Sequence, residues 1–528
     1  MTYLRYPLGA VLAAVVATGA LAEEKPVRGG ILEYAVKSEA PTFDCAGSAT
    51  YAVMHAVSPF YSMLLKVDLE NYPNLKGDLA KSWTVSDDFK TITFELHPNV
   101  KFHDGSILTS EDVKATFERY RNPPQGQTSI IKAALEDIDT IETPSPTTVV
   151  FKLKAPNKAM IQIFAIPNAC IYSAKKLNED PNYPRQTIMG TGPFKFKEEV
   201  KGSHLSGERF EGYFREGLPY LDGFRAVLFT QSAAVINAIQ GGQVMGEFRA
   251  VTPSERKTLE AAMGDKIKFY ESDWSTLLLL MFNTEKPPFN DVRVRRALNL
   301  AIDRWGGSKG LAPTTLLRNV GGLSRPNGPF ATPESELVKL PGFGKDIKAA
   351  REEAKRLLKE AGQENLKFTL HNRNIASPYT PTGVYLIDQW KQIGVEVTHS
   401  QVETKAYIET MNAGTYDVAI EFNNNVLEDP VHTLLQYLSY DKSPVNKSRA
   451  IDRELDGLFE TMLREIDDNK RREALLAFEK RAIEQAYQVP ILWWYRIVAL
   501  NSRVKGWHMS PSHLFGQDLE TVWLAPEK

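Results

Sequence analysis

The sequence predicts an α/β protein with more than one domain. It has 528 residues, whereas a single hydrophobic core stops growing at roughly 250 to 300 residues. Between residues 366 and 398, an apolar run, a helical pattern and a second apolar run follow one another. That order is typical of a strand, a helix and a second strand that pairs with the first in parallel. Alternating apolar and polar residues at 89–96 and 148–154 predict further, half-buried strands.

Capping residues mark the predicted helices. Residues 109–112 have the pattern of a capping box, and the apolar positions behind them fall on one helical face. Asp346 is placed to cap a second helix, which Gly362 ends. Residues 465–485 have a long, charged amphipathic pattern, and residues 489–495 form an apolar strand. Helices and strands therefore alternate through the second half of the chain.

The N-terminus has the features of an export signal. Arg5 provides a positive start, residues 8–18 are apolar, and residues 20–22 (Ala-Leu-Ala) offer the small side chains that signal peptidase requires. We expect residues 1–22 to be a signal peptide that is cleaved at its end. The apolar run is too short to cross a bilayer, which takes about 20 residues. The sequence therefore predicts an exported protein without stable membrane insertion.

Composition and motifs exclude several classes of function. A formal net charge of -2 gives no reason to expect a nucleic-acid or anionic-membrane partner. The nine histidines have no recognised zinc spacing, so we expect no metal site. No nucleophile elbow, phosphate-binding glycine loop, metalloprotease helix or dinucleotide fingerprint occurs in the required context. We therefore expect neither catalysis nor a cofactor.

The chain has two cysteines, Cys45 and Cys170. An oxidising compartment favours a disulfide between them. In the chain-entropy model, closing so long a loop contributes about 4 to 5 kcal/mol. The sequence does not show whether the two residues meet, so a bridge and two free thiols both remain open.

A set of short motifs runs in order along almost the whole mature chain. They are Gly29-Gly30 and residues 79–83 (LAKSW), 94–105 (FELHPNVKFHDG), 111–113 (EDV), 190–194 (GTGPF), 282–284 (FNT), 287–289 (PPF), 294–298 (VRRAL), 301–303 (AID), 416–418 (YDV) and 489–490 (VP). In this order they resemble the oligopeptide, dipeptide and nickel-binding group of periplasmic solute-binding proteins, family 5, which serve ABC importers.

The resemblance implies a two-lobed periplasmic-binding-protein fold. It is the type II fold, in the large subclass that carries an extra subdomain, with the ligand cleft between the lobes. On that basis we expect lobe one at residues 23–272 and 492–528, its inserted subdomain at about 58–186, and lobe two at 273–491. A cleft between lobes is also where ligand sites commonly lie. Closure would be a hinge motion of the strands that cross between the lobes.

The resemblance also implies a function. We expect the periplasmic substrate-binding component of an ABC importer, which captures a peptide-like or other medium-sized polar solute and delivers it to the membrane permease subunits. The protein would act as a monomer, without a cofactor. The alternative is a periplasmic chaperone or sensor-docking protein that uses the same cleft. The ligand stays open between a peptide, a sugar, an opine-like conjugate and a metal chelate.

One loop departs from the pattern of oligopeptide receptors. In those proteins an Asp after the strand that corresponds to residues 416–422 holds the α-ammonium group of the peptide, and here the matching residue is Val426. A buried ammonium needs an anionic partner. Val426 therefore argues against ordinary recognition of a peptide amine. Glu421, Glu428 or Asp429 would have to replace the missing Asp.

The candidate ligand-binding residues are rings and polar groups that the resemblance places near the lobe interface: Tyr51, Trp274, Arg373, Tyr379, Asn423, Asn424, Asn425, Glu428, Trp493 and Trp507. Large rings bury much area at low entropic cost. Arg373 is the expected charged contact, because loops at strand ends carry binding groups, and a carboxylate-bearing ligand would follow. The three asparagines either offer neutral donors and acceptors or form only a turn.

Overall fold

The computed structural model describes an α/β protein. The described residues are 24–48, 50–127, 129–375, 377–424, 427–443 and 445–527. The predicted signal peptide, Asn425 and Val426 lie outside them. Within the described part of the chain, no helix combines the length and the apolar character needed to cross a membrane.

The described residues form strands of 2 to 16 residues. In chain order they are β1 (Ile31–Val36), β2 (Leu65–Val67), β3 (Leu75–Gly77), β4 (Ala80–Val85), β5 (Thr91–Leu96), β6 (Ile138–Ser145), β7 (Thr148–Leu153), β8 (Phe194–Val200), β9 (His204–Arg209), β10 (Gly223–Leu228), β11 (Gly246–Glu247), β12 (Ile267–Phe282), β13 (Leu317–Asn319), β14 (Lys367–Arg373), β15 (Glu396–Val402), β16 (Val418–Asn424), β17 (Gln488–Asn501), β18 (Val504–Lys505) and β19 (Trp523–Leu524).

The α-helices lie between these strands. In chain order they are α1 (Tyr51–Val57), α2 (Ser110–Arg121), α3 (Met160–Ile163), α4 (Ala174–Glu179), α5 (Ser232–Gln240), α6 (Pro253–Met263), α7 (Val292–Leu300), α8 (Arg304–Leu311), α9 (Glu334–Leu337), α10 (Ile347–Glu360), α11 (Tyr379–Lys391), α12 (Thr404–Ala413), α13 (Val431–Leu434), α14 (Arg453–Arg464) and α15 (Asp468–Gln485).

The largest sheet is built around two long antiparallel strands, β12 and β17. Its order is β11-β17-β12-β16-β14-β15, and β13 also pairs with β17. Strand β14 pairs in parallel with both β15 and β16, and α11 is the connection between β14 and β15. The parallel pairing predicted from residues 366–398 is therefore confirmed.

Strands β12 and β17 are also the segments at which the predicted lobes would join. The expected boundaries, 272/273 and 491/492, fall inside β12 and β17. Both strands are buried along most of their length, because neighbouring strands pair with their edges and helices α6, α8 and α15 contact this pair of strands. The residue ranges of the two lobes stay a prediction.

Two four-stranded sheets lie in the first half of the chain. One has the order β1-β10-β9-β8, with β1 parallel to β10. The other, β4-β5-β7-β6, is antiparallel and lies within the range predicted for the inserted subdomain. Helix α2 packs on this sheet. The ring of Phe117 in α2 meets that of Phe151 in β7 edge to face, with the ring centres 5.1 Å apart. A hydrophobic core therefore fills the space between α2 and this sheet.

The predicted helix caps are confirmed. Thr109 and Asp112 form a capping box at the start of α2, with the Thr109 amide donating to the Asp112 carboxylate at 2.7 Å. Asp346 accepts a hydrogen bond from the amide of Ala349 at the start of α10. Gly362, just past that helix, has a φ of 67°, which glycine adopts more readily than other residues.

Cys45 and Cys170 form a disulfide. Both residues are buried, their Cα atoms are 6.3 Å apart, and 125 positions separate them in the sequence. The bond ties the loop before α1 to the far end of the inserted subdomain. The backbone amide of Cys45 also donates to the Tyr172 hydroxyl at 2.8 Å.

Reduction of this disulfide is expected to lower the free energy of unfolding. The bond restricts the unfolded chain, and its loss costs about 2 to 5 kcal/mol. Urea unfolding followed by circular dichroism, with and without dithiothreitol, measures the difference. The double variant Cys45→Ser/Cys170→Ser is the control, since it should unfold identically in both conditions. Two free thiols on the denatured, unreduced protein would contradict the bond.

Candidate functional site

Two tryptophans meet where the two central strands lose their regular pairing. Trp274 lies in β12 and Trp494 in β17, and the pairing register shifts between Asp273 and Leu277. The indole rings are 5.2 Å apart in an edge-to-face arrangement, which the charge distribution of aromatic rings favours. Both rings are buried, at 2% and 7% exposure. The tryptophan pair therefore occupies the zone where the lobes would join.

Arg249 reaches the tryptophans from a segment within the range expected for lobe one. It follows β11, where Gly246 lets the backbone lie close to β17, since a Cβ there would clash with the carbonyl oxygen of Ala499. Arg496 donates hydrogen bonds to the carbonyl oxygens of Phe248 and Arg249, at 2.5 and 2.9 Å. These contacts fix the backbone that carries the Arg249 side chain.

The guanidinium of Arg249 lies between two aromatic rings. Its Cζ is 4.7 Å from the ring centre of Tyr51 and 5.7 Å from that of Trp274. Tyr51 is the first residue of α1, and its hydroxyl accepts a hydrogen bond from the Ser38 hydroxyl at 2.9 Å. A cation–π contact contributes about 0.5 to 2 kcal/mol. Among the described residues, no carboxylate forms an ion pair with Arg249.

Arg373 belongs to the same group of side chains and lies in the range expected for lobe two, but it has an anionic partner. It ends β14 and donates to Glu421 at 2.7 Å, with its guanidinium 4.0 Å from the ring centre of Tyr407 and 5.0 Å from that of Tyr379. Burial opposes the charge on Arg373, but Glu421 holds the pKa of Arg373 above its ordinary value. The ring centre of Tyr379, the first residue of α11, lies 6.4 Å from that of Trp494. Tyr379 thus links Arg373 to the tryptophan pair.

We call these six residues the cleft cluster: Tyr51, Arg249, Trp274, Arg373, Tyr379 and Trp494. Four buried N–H groups in it have no hydrogen-bond partner among the described residues: Nε of Arg249, Nε1 of Trp274, Nη1 of Arg373 and Nε1 of Trp494. An unsatisfied buried donor costs about 1 to 3 kcal/mol, and such groups in a native structure call for an explanation. The cluster can bind the oxygens of a carboxylate, a carbonyl or a hydroxyl.

Two neutral histidines lie next to this cluster. The Nε2 atom of His55 is 2.9 Å from the carbonyl oxygen of His513, and the His513 ring is 5.5 Å from that of Trp274. Burial, together with the charges of Arg496 and Arg249, lowers the pKa of His55 to about 3. Burial also holds the pKa of His513 well below its ordinary value. Both imidazoles are therefore uncharged at neutral pH.

The predicted asparagines are bonded within the protein. Asn423 and Asn424 end β16, so they do not form a turn. The Asn424 side-chain oxygen accepts from the Thr276 hydroxyl at 3.0 Å, and the Asn423 side chain donates to the Thr433 carbonyl oxygen at 3.1 Å. Asn425 lies outside the described residues.

The carboxylates that could replace the missing Asp are already paired with arginines. Glu421 pairs with Arg373, as described above. Glu428 is buried against Arg325 at 2.6 Å, and Asp429 is buried against Arg471 at 2.6 Å. None of the three is therefore free to receive the ammonium group of a peptide.

Two of the predicted rings lie away from the cluster. Trp493 is fully buried, and its Nε1 donates to the Gly322 carbonyl oxygen at 3.0 Å. Successive residues of a strand face opposite sides of a sheet, so Trp493 and Trp494 lie in different surroundings. Trp507 packs against Phe248 and Tyr270 in lobe one. We leave Trp493 and Trp507 out of the candidate site.

The site residues predicted from the sequence omit Arg249 and Trp494. One signal for Arg249 is present, because it is the only charged residue in the otherwise apolar stretch 248–251. A charge in such a stretch needs a partner or a ligand. For Trp494 the sequence offers no signal that separates it from Trp493, since the strand register decides which ring faces the cleft.

Polar contacts also join residues in the range expected for the inserted subdomain to residues in the range expected for lobe two. We call three side-chain pairs the rim contacts: Asp137–Arg464, Tyr72–Glu428 and Lys158–Asp468. In the first pair, Arg464 donates two parallel hydrogen bonds to the Asp137 carboxylate, at 2.6 and 2.9 Å. Such bidentate pairs have a defined geometry. The cleft is thus bridged at its edge as well as at its centre.

Residues 74–444 match the model of the bacterial extracellular solute-binding proteins, family 5. The match covers more than half of the chain. The chain belongs to this family. The resemblance that its motifs carry is therefore confirmed. Proteins of this family are periplasmic or extracellular binding components of ABC importers and serve transport.

Three similar proteins fit this assignment. A putative ABC transporter peptide-binding protein of Brucella ovis is 29% identical over 347 residues, which cover 63% of this chain and 62% of that protein. The match thus spans less than two thirds of the relative. The periplasmic binding protein AgaA from A. tumefaciens R10, in complex with agropinic acid, has a TM-score of 0.80 at 25% identity, covering 94% of this chain and 99% of AgaA.

DppA from Helicobacter pylori, in complex with the peptide STSA, has a TM-score of 0.81 at 22% identity, covering 94% of this chain and 98% of DppA. The likeness to these structures extends over almost the whole chain. The predicted two-lobed α/β fold of the periplasmic binding proteins is therefore confirmed.

The stability of the protein is expected to fall as the pH is lowered from 7.5 to 5.5. In the unfolded chain His55 takes up a proton near pH 6.5, whereas the folded protein keeps it neutral down to about pH 3. The unfolded state then binds more protons, so stability is lost as the pH falls below about 6.5. His55 alone accounts for about 1 kcal/mol at pH 5.5.

Urea unfolding at both pH values checks this expectation. His55→Gln should reduce the pH-dependent loss by about 1 kcal/mol. His508→Gln is the control, because the side chain of His508 is 43% exposed. An equal loss of stability in wild type and His55→Gln would show that His55 is not held neutral.

Loss of a rim contact is expected to favour an open form of the protein. Asp137→Asn removes a partly exposed ion pair with Arg464, which contributes about 1 kcal/mol or less. Small-angle X-ray scattering should then give a larger radius of gyration than for the wild type. Glu352→Gln is the control, since it removes an exposed pair with Lys355 within α10. Equal radii for all three proteins would argue against the rim contact as a brace.

Proposed function

We propose that this protein is the periplasmic substrate-binding component of an ABC importer. It captures a peptide-like or other medium-sized polar solute between the lobes and delivers it to the permease subunits in the membrane, where other subunits hydrolyse ATP. The cleft cluster carries this proposal. It brings aromatic rings and unsatisfied buried donors from both lobes into one group. Such a mixture of apolar surface and a few convergent polar groups is typical of small-molecule sites.

The solute is proposed to be rich in hydrogen-bond acceptors. The unsatisfied groups of the cluster are donors, and the nearby carboxylates are paired with arginines. This favours a peptide-like or opine-like acid over an ordinary peptide that is held by its ammonium group. AgaA and DppA are described with an acid and with a peptide, respectively. The same fold therefore accommodates both classes of ligand.

Capture follows from the position of the cluster. A solute that contacts Tyr51 and Arg249 on one side, and Tyr379 and Arg373 on the other, binds the closed form better than the open form. A ligand shifts a conformational equilibrium by that difference in affinity. The proposed hinge lies in β12 and β17. There the proposed lobe one (residues 23–272 and 492–528) joins the proposed lobe two (residues 273–491).

The proposal includes no catalytic step and no cofactor. Export by the signal peptide at residues 1–22 would place the mature protein in the periplasm. There it would act as a monomer. The chaperone or sensor-docking alternative is not favoured, because the similar proteins are binding components of transport systems.

Native mass spectrometry of the protein, purified from the periplasm, is expected to show a bound small molecule that is lost on denaturation. Returning that molecule at 100 times its Kd should stabilise the protein by about 2.7 kcal/mol. Trp274→Ala should weaken binding at least about tenfold, because it removes a cluster ring and a donor. Trp305→Ala is the control, since Trp305 donates to the Phe343 carbonyl oxygen outside the cluster.

The result that would overturn the proposal is equally direct. If no small solute copurifies with the protein, and if none in a broad library raises the melting temperature, the protein is not a solute receptor. Chemical turnover of a bound solute by the purified protein would contradict the absence of a catalytic step.

A further inference from the structure

Arg249 differs from Arg373 and Arg325 because, among the described residues, it has no anionic partner. Arg373 pairs with Glu421 at 2.7 Å, and Arg325 pairs with Glu428 at 2.6 Å. Among the described residues, Arg249 has no carboxylate partner, and its Nε has no acceptor. A partly buried charge without a counter-charge is costly. The Arg249 guanidinium is therefore poised for an anion from outside the chain.

A second guanidinium, that of Arg496, makes the surroundings of Arg249 more positive. We call this side of the cleft the lobe-one wall. Arg496 is fully buried and forms no ion pair with a described carboxylate, since its hydrogen bonds go to backbone carbonyl oxygens. Burial lowers the pKa of Arg496 to about 9, so it is still charged at neutral pH. The carboxylate of Glu247, on the same segment as Arg249, is paired with Lys37 at 3.1 Å. The wall thus keeps an excess of positive charge.

Apart from the Glu247 carboxylate, which is paired with Lys37, the buried polar atoms near Arg249 that have no hydrogen-bond partner among the described residues are donors. The Nε1 atoms of Trp274 and Trp494 are buried and have no acceptor within the described chain. The two rings touch each other, and the Trp274 ring lies against Arg249. An ionised carboxylate is an acceptor only, with two oxygens that can take several donors at once. An ammonium group, which has donors only, would find no partner here.

We infer that Arg249 and the indole N–H groups of Trp274 and Trp494 bind a carboxylate of the solute on the lobe-one wall of the cleft. This inference rests on the proposed function and narrows its substrate class to organic or peptide-like acids. The body of the solute extends toward Tyr379. Arg373, the carboxylate contact expected from the sequence, is already paired with Glu421 and lies against the ring of Tyr379, so it is not the residue that binds this carboxylate.

The test compares acids with their neutral counterparts. The probes are the peptide STSA, agropinic acid and a library of peptide and opine-like acids, each beside its amide or methyl ester. N-acetyl-STSA shows whether an ammonium group is needed. Titration calorimetry gives the Kd of each probe for the wild type, Arg249→Gln and Arg249→Lys. Arg318→Gln is the control, because Arg318 also lies on a ring, that of Tyr495 at 4.1 Å, but outside the cluster.

The expected result is a preference for acids in the wild type that depends on Arg249. The wild type binds an acid at least about tenfold more tightly than its amide or ester, since truncating one partner of a buried charge pair has an effect of this size or larger. Arg249→Gln loses that preference, because its affinity for the acid falls at least about tenfold further than its affinity for the neutral counterpart. Arg249→Lys keeps part of the preference, and Arg318→Gln keeps all of it. Melting temperatures within a few degrees of the wild type show that the variants are folded.

The remaining outcomes separate this inference from the proposed function. If the wild type binds solutes and Arg249→Gln keeps the preference for acids, the inference fails and the proposed function stands. The same holds if the wild type binds only neutral solutes. If the wild type binds no probe and carries no copurified solute, the proposed function fails, and the inference fails with it.

Discussion

The antiparallel pairing of β12 with β17 is the constraint on which the rest of the structure depends. One hydrogen-bonded ladder runs through residues 267–282 and 488–501, and the expected boundaries between the two lobes fall on these strands. Strand β11 attaches near one end of this ladder and β16 near the other. The cleft cluster lies where the ladder is irregular, and its position follows from the strand register.

The parts of the fold that could be predicted are those with local signals. A capping box needs only four consecutive residues, and the one at Thr109 is present. The parallel pair β14–β15 follows from two apolar runs with a helix between them, because such crossovers obey simple rules. The arrangement of two lobes, by contrast, could not be derived from periodicity. It came from the ordered motifs and from the likeness to known structures.

The site was less predictable because its contacts join distant segments. Arg373 looks like a free cation in the sequence, yet Glu421, 48 residues further on, neutralises it. The apolar stretch around Arg249 indicates that its charge needs a partner, but not which residues supply the contacts: Tyr51 and Trp274 reach it from segments about 200 and 25 residues away. A register shift of one residue would exchange Trp493 and Trp494. These outcomes depend on long-range pairing, which one sequence does not encode in any local pattern.

The rim contacts change how cargo release can be understood. Because the protein's own side chains make these pairs, they contribute to the closed form whatever the solute is, and the solute has to supply only the remaining free energy. The Asp137–Arg464 pair is also partly exposed, so a docking protein can compete for either partner without touching the cargo. Under the proposed function, release of the solute would then begin at the rim contacts, and the residence time of the solute would depend on docking to the permease as well as on affinity.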